Sequence, residues 1–271
     1  MPSSTSSTAL SVGPINSYVP GSTWFDLHRY DFLASQERVA VNLSASDLWL
    51  VNASKIKLTS DYAPRIAFIN EGAGYRSPVN ISAAGETFSQ AIVFDDLSGS
   101  NSILPSANAP LKRGDWVQLS NIAAGSQLNF SVIPNGVVNP QARPLSTDYT
   151  INPDTAFNTN GPVFWAAYAD PATSTVVLAY EDIAGRGSDN DFNDGIIALD
   201  IGQENFNQLF SNANLGQDAS INLNGAPRVD VPYELEAGLG LVGLALIVGH
   251  KIIFRQIKRL FGTEKSVDFS H

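Results

Sequence analysis

Short apolar or alternating runs recur from Trp24 to about Gly202, each closed off by Gly, Pro, Asn or Asp. They are VAVNL (39–43), DLWLVNAS (47–54), RIAFIN (65–70), QAIVF (90–94), DWVQLSNI (115–122), QLNFSVI (127–133), VFWAAYA (163–169), TVVLAY (175–180) and GIIALDI (195–201). Brief runs rich in Val, Ile, Phe and Trp, repeated at this spacing between turn residues, signal strands rather than helices. The pattern predicts an all-β, jelly-roll-like β-sandwich over residues 24–202. Within it Phe164 and Trp165 are neighbours, so strand alternation places them on opposite faces and makes one a candidate for exposure.

The flanks read differently. Residues 1–23 are rich in Ser, Thr and Pro, lack both the basic start and the apolar run of a secretory signal, and read as a flexible N-terminal segment. Residues 203–231 read as a polar, Asn-rich linker with one short helix around NFNQLFSN. From residue 232 the character changes again, in VPYELEAGLGLVGLALIVGHKIIFRQIKR. Ala237 to Gly249 is a stretch of 13 uncharged, mostly apolar residues. As a helix it spans about 20 Å, short of a hydrocarbon core of about 30 Å. Continuing through Phe254 restores the length if Lys251 reaches out to the interface. Residues 237–254 are therefore expected to form a single transmembrane-type helix within an anchor or sorting tail, residues 232–271. Glu234 and Glu236 precede the run and Lys251, Arg255, Lys258 and Arg259 follow it. That polarity puts the C-terminus in the cytoplasm and the sandwich on the far side, so the body must be exported. A buried or amphipathic C-terminal helix is the alternative; Gly238, Gly240, Gly243 and Gly249 favour the membrane, where such glycine density is common.

Charge narrows the choice of partners. Residues 1–236 carry 11 Lys and Arg against 24 Asp and Glu, and residues 237–271 carry 5 against 2. An acidic body without a basic cluster excludes nucleic acid, whose phosphates are held by basic side chains. A cation is the natural small partner. The absence of cysteine removes disulfides, thiol catalysis and thiolate metal sites. Of the three histidines, His28, His250 and His271, two lie in the tail, so any metal ligands in the body are oxygens and the metal is calcium, magnesium or manganese.

Oxygen ligands are concentrated in one place. In the frame TVVLAYED, IAGRGS, DNDFND, GIIALDI, two strands bring acids to their shared loop: Glu181 and Asp182 on the incoming side, then Asp189, Asp191, Asn193 and Asp194. Carboxylates this close repel one another unless a cation or water separates them. Hard cations take about six to eight oxygens, which a hairpin joining both clusters can supply. The alternate spacing of Asp189, Asp191 and Asn193 imitates the first half of a helix-flanked calcium loop, but Asp194 stands where that loop needs glycine and the chain runs on into a strand. A solvated polar turn remains the other reading, since Asp and Asn tolerate turn geometry. Phe192, between the acids, is expected to point inward and anchor the loop.

The frame ED, a Gly-rich gap, DNDFND and an apolar strand resembles the signature of a bacterial domain of unknown function found in extracytoplasmic, often cyanobacterial, proteins. FINEGAGYRS (68–77) and PLKRGDWVQLSNIAAGSQLNFSVIPNG (110–136) are similar to further segments of that family, with Ser77 and Pro78 where an Asn-containing turn is usual. The resemblance implies that the acidic loop binds Ca2+ through Glu181, Asp182, Asp189, Asp191, Asn193 and Asp194. The tail is similar to the sorting tails of exported cyanobacterial proteins of the PEP-CTERM type, from which Tyr233, Leu235, Glu236, Ala237, His250 and Lys251 depart. It implies retention at a membrane or cell surface.

Nothing points to an enzyme. Glycosidase carboxylates face one another across a sugar cleft, whereas acids packed in one loop are better placed to share an ion. No GxSxG, histidine-paired nucleophile or Walker sequence is present. The expectation is a non-catalytic, calcium-binding surface module with a structural or adhesive role, in contact with surface polysaccharide or matrix. The alternative is a calcium-dependent carbohydrate-binding protein with Trp116, Trp165 or Tyr75 as a sugar platform.

Overall fold

Ten strands form among the described residues of the chain: β1 (Trp49–Val51), β2 (Arg65–Asn70), β3 (Val79–Ala84), β4 (Phe88–Phe94), β5 (Trp116–Gln118), β6 (Gln127–Val132), β7 (Leu145–Ser146), β8 (Trp165–Asp170), β9 (Thr175–Tyr180) and β10 (Gly195–Asp200). One helix of ordinary pitch follows, α1 (Gln203–Ser211). The computed structural model describes residues 9–21, 23–34, 48–85, 88–99, 111–153, 163–184, 188–189 and 191–211. The chain divides into two compact units, Met1–Val231 and Pro232–His271, and every described residue belongs to the first. The run VAVNL and the tail expected as a membrane anchor lie outside the described residues. Among the described residues no helix is long and apolar enough to cross a membrane.

The strands make two antiparallel sheets, one in the order β1-β8-β9-β10-β2-β5 and one in the order β4-β3-β6-β7. The chain changes sheet between β2 and β3, β4 and β5, β5 and β6, and β7 and β8. One apolar cluster draws on both sheets, with Ile66, Phe68, Val176, Leu178, Ile197 and Leu199 from the larger meeting Val79, Ile81, Leu128, Phe130 and Val132 from the smaller. The sheets are therefore packed face to face, in the manner of a β-sandwich.

Burial along the strands shows what covers each sheet. In β3 and β6 every second residue is buried, as expected where one face meets the core and the other meets water. In β8, β9 and β10 every residue is buried. Their outward face is covered by the 3-10 segment Leu27–Ala34, whose Leu27, Tyr30 and Leu33 pack with Ala67, Tyr168, Val177, Ala179 and Ala198 in a second cluster. The cover is tethered by charge, since Arg29 forms two hydrogen bonds to Asp170 and Tyr30 Oη donates to the same carboxylate at 3.0 Å.

The packing between the sheets corrects the expectation about Phe164 and Trp165. Both are buried, both belong to the inter-sheet cluster, and Trp165 Nε1 donates to the Leu145 carbonyl at 2.9 Å. Trp165 is therefore not a surface platform. Upstream of Trp24, residues assigned to the lead-in lie against β5, with Val12 bridged to Leu119 and Asn16 to Trp116. Downstream, α1 carries residues 205–211 of the expected NFNQLFSN segment and sends Phe206 and Leu209 into the core.

Candidate metal centre

The acidic residues occupy the loop between β9 and β10, at the end of the sandwich where Tyr180 pairs with Gly195. That pairing explains the glycine that arrives one place late for a helix-flanked calcium loop. A Cβ on Gly195 would lie 2.3 Å from Cζ of Tyr180, so glycine is required for the ring to cross the neighbouring strand. Its role is packing, not turn geometry.

Glu181, Asp189 and Asp191 come together. Each offers a carboxylate oxygen, and the three oxygens lie within 4.8 Å of one another, with Glu181 and Asp191 buried and Asp189 half-buried. Glu181 is fixed by the loop it serves: Oε1 accepts the Phe192 N–H at 2.7 Å and Oε2 accepts the Ser188 hydroxyl at 2.6 Å. Asp191 accepts the Asn193 N–H at 3.2 Å and its side-chain amide at 2.8 Å. Asn193 thus supports Asp191 in this arrangement. Phe192 points inward, fully buried in the cluster beneath the 3-10 cover, and holds a positive φ of 56°.

Asp182 and Asp194 meet each other on the other side of the strand. Ala179 belongs to the outer cluster and Tyr180 to the inter-sheet cluster; beyond them Glu181 accepts the Phe192 N–H, while Asp182 accepts a hydrogen bond from Ser77, just ahead of β3. The backbone N–H of Asp182 donates to Asp194 Oδ2 at 2.6 Å. The second oxygen of Asp182 is buried without a hydrogen-bond partner. Burial above all, and then the charges of Glu181 and Asp189, push Asp182 up to about 7 against the hydrogen bond from Ser77 and the close approach of the Asp194 carboxyl. Burial and the charges of Asp182 and Glu181 hold Asp194 well above the usual carboxylate range.

Three loops close on this end. The segment Glu71–Ser77 lies along the acidic loop, with Gly72 N donating to the Asn193 carbonyl at 3.0 Å. Ser77 Oγ donates to Asp182 Oδ2 at 3.3 Å and accepts the Asn135 N–H at 3.0 Å. Arg76 pairs with Asp96 at 2.6 Å, and Leu97 N donates to the Ser77 carbonyl at 2.9 Å. A register shift between Ile196 and Ile197, opposite Asn70, marks a bulge at the end of β2. Bulges re-aim the side chains that follow, and the charge of Glu71, like those of Asp182, Asp194 and Asp96, acts on the buried Tyr180 hydroxyl and raises its pKa further after burial. Ser77, Glu71 and Asp96 have no mark in the acidic motif itself. The FINEGAGYRS segment was the available signal, and its position against the loop became visible only through the β2–β10 pairing.

A domain of unknown function, DUF4114, is found over residues 122–202. The match runs from just before β6 to the end of β10 and contains the whole acidic loop, while Glu71–Ser77 lies outside it. No curated protein and no solved structure matches the chain.

Proposed function

We propose that the chain is a non-catalytic calcium-binding module of the cell surface: a jelly-roll-like sandwich, exported, held by a single span at residues 237–254, and stiffened by Ca2+ for a structural or adhesive role against matrix or polysaccharide. The observation that carries this reading is the convergence of carboxylate oxygens from Glu181, Asp189 and Asp191 within 4.8 Å. Ca2+ accepts about six to eight oxygens at about 2.3–2.6 Å in flexible geometry, which suits a long loop with Asp182, Asn193 and Asp194 close by. Mg2+ needs a near-ideal octahedron and keeps its water, so it fits this loop less well. The resemblance of ED and DNDFND to an extracytoplasmic calcium loop supports the same assignment.

Calorimetric titration of the full chain with Ca2+ tests the reading. Asp191→Ala should weaken binding by at least about tenfold, because it removes a buried central charge. Asn193→Ala should weaken it less, and Mg2+ should give little heat. Affinity unchanged by Asp191→Ala would contradict the assignment.

One observation favours a second reading, a calcium-dependent carbohydrate-binding protein. Tyr75 is 39% exposed in the segment that lies along the acidic loop, where a bound ion and an aromatic face would be neighbours. Glycan-array binding abolished by chelator would establish it, and a blank array in the presence of Ca2+ would remove it.

A further inference from the structure

Glu181 and Asp182 are adjacent in sequence, yet their hydrogen bonds run to different segments, Glu181 to its own loop and Asp182 to Ser77 ahead of β3. Glu181 is bonded to the Phe192 N–H and the Ser188 hydroxyl on the outer side, where it joins Asp189 and Asp191. Asp182 is bonded to Ser77 on the inter-sheet side, where it meets Asp194. Oxygens sharing one Ca2+ must all lie within about 2.6 Å of it, hence within about 5 Å of one another. Among the described residues the set whose oxygens all lie within 4.8 Å of one another is Glu181, Asp189 and Asp191, without Asp182 or Asp194.

We propose that the loop holds two divalent cations rather than one, an outer ion on Glu181, Asp189 and Asp191 and an inner ion between the sheets on Asp182 and Asp194. The proposal rests on the calcium reading above and extends it to a second site. An independent observation points to an inner ligand. Asp182 is 2% exposed, and its Oδ1 is buried without a hydrogen-bond partner, beside the oxygen that Ser77 does reach. A buried carboxylate oxygen left unmatched is costly, whereas a cation there satisfies it. Charge points the same way. Arg76 is paired with Asp96, and among the described residues neither Asp182 nor Asp194 has a basic partner. Asp194 is only half-buried, which gives an ion a way in.

The two ions would do different things. The outer one closes the loop upon itself. The inner one joins the ends of β9 and β10 in the larger sheet to Ser77, which leads into β3 of the smaller, and so clamps the two sheets together.

The number of ions bound to the full chain decides the matter, counted by native mass spectrometry with Ca2+ and by calorimetric stoichiometry. The wild-type chain should carry two, Asp182→Asn one, Asp191→Asn one, and the double variant none; Asp194→Asn repeats the inner test should Asp182→Asn fail to fold. One ion in the wild-type chain, lost in Asp191→Asn and kept in Asp182→Asn, would overturn the inner site and leave the calcium module intact. One ion lost in both variants would overturn it in favour of a single shared site. No ion at all in the wild-type chain would bring down the calcium reading together with this one. The wild-type count needs no variant and by itself separates two ions from one.

Discussion

Tyr180 and Gly195 show how a single residue type can be required by packing at the edge of a charged site. The tyrosine ring is fully buried, and the space that an alanine methyl would need at residue 195 is occupied by its Cζ and hydroxyl. Gly195→Ala should therefore displace the ring and cost about 1–3 kcal/mol of stability, with calcium affinity falling as Asp194 and Asp182 are pushed apart. A denaturant melt showing no loss would mean that the ring moves aside freely. Asp170 is a second residue whose behaviour follows from its surroundings. Burial raises its pKa, but hydrogen bonds from Arg29, Thr173 and Tyr30 outweigh burial and hold it below the usual aspartate value. The unfolded chain then takes up this proton at higher pH than the folded one. The stabilisation is present above about pH 4 and is lost as pH falls through the lower folded value. Melting temperatures between pH 6 and 3 should fall more steeply for the wild-type chain than for Asp170→Asn. Because Arg29 is 30% exposed, the substitution itself should cost about 2 kcal/mol at pH 7, less than the roughly 3–5 of a fully buried pair.

At the scale of the element, what was legible in the sequence depended on how each strand is covered. The fully buried strands β8, β9 and β10 are continuous apolar runs and stand out, as does the alternating β6. β3 does not, because VNISAA reaches the core with only Val79, Ile81 and Ala83 and presents Asn80, Ser82 and Ala84 outward. Two of its six residues are large and apolar, too few for the periodicity to be read. β7, Leu145–Ser146, is too short to have a period at all. The covering of the larger sheet was likewise hidden, since the 3-10 segment Leu27–Ala34 meets it through contacts more than a hundred residues distant in sequence, such as Arg29 with Asp170. Trp165 looked available for the surface because its packing between the sheets, against Leu145 of the smaller one, is also a distant contact. The acidic loop was legible as a cluster of carboxylate and amide oxygens, but which of them come together was not. Whether Glu181 and Asp182 continue the alternation of β9 depends on the turn that follows, and only the contacts with Phe192 and Ser77 settle it.

For the whole molecule, the two sheets, the charge distribution and the acidic loop form one account. The body is strongly acidic, its sheets share a core, and the place where buried carboxylates crowd is the end at which the β2–β3, β9–β10 and β4–β5 connections meet. A cation that binds the folded loop and not the open chain must stabilise the fold by linkage, by about 2.7 kcal/mol when the free ion stands at 100 times its dissociation constant. Scanning calorimetry of the full chain in Ca2+ and in chelator tests this most directly. The melting temperature should be higher in Ca2+, should rise further with its concentration, and should lose most of this gain in Asp191→Ala. Superimposable melts in Ca2+ and in chelator would contradict it and leave the loop a solvated turn.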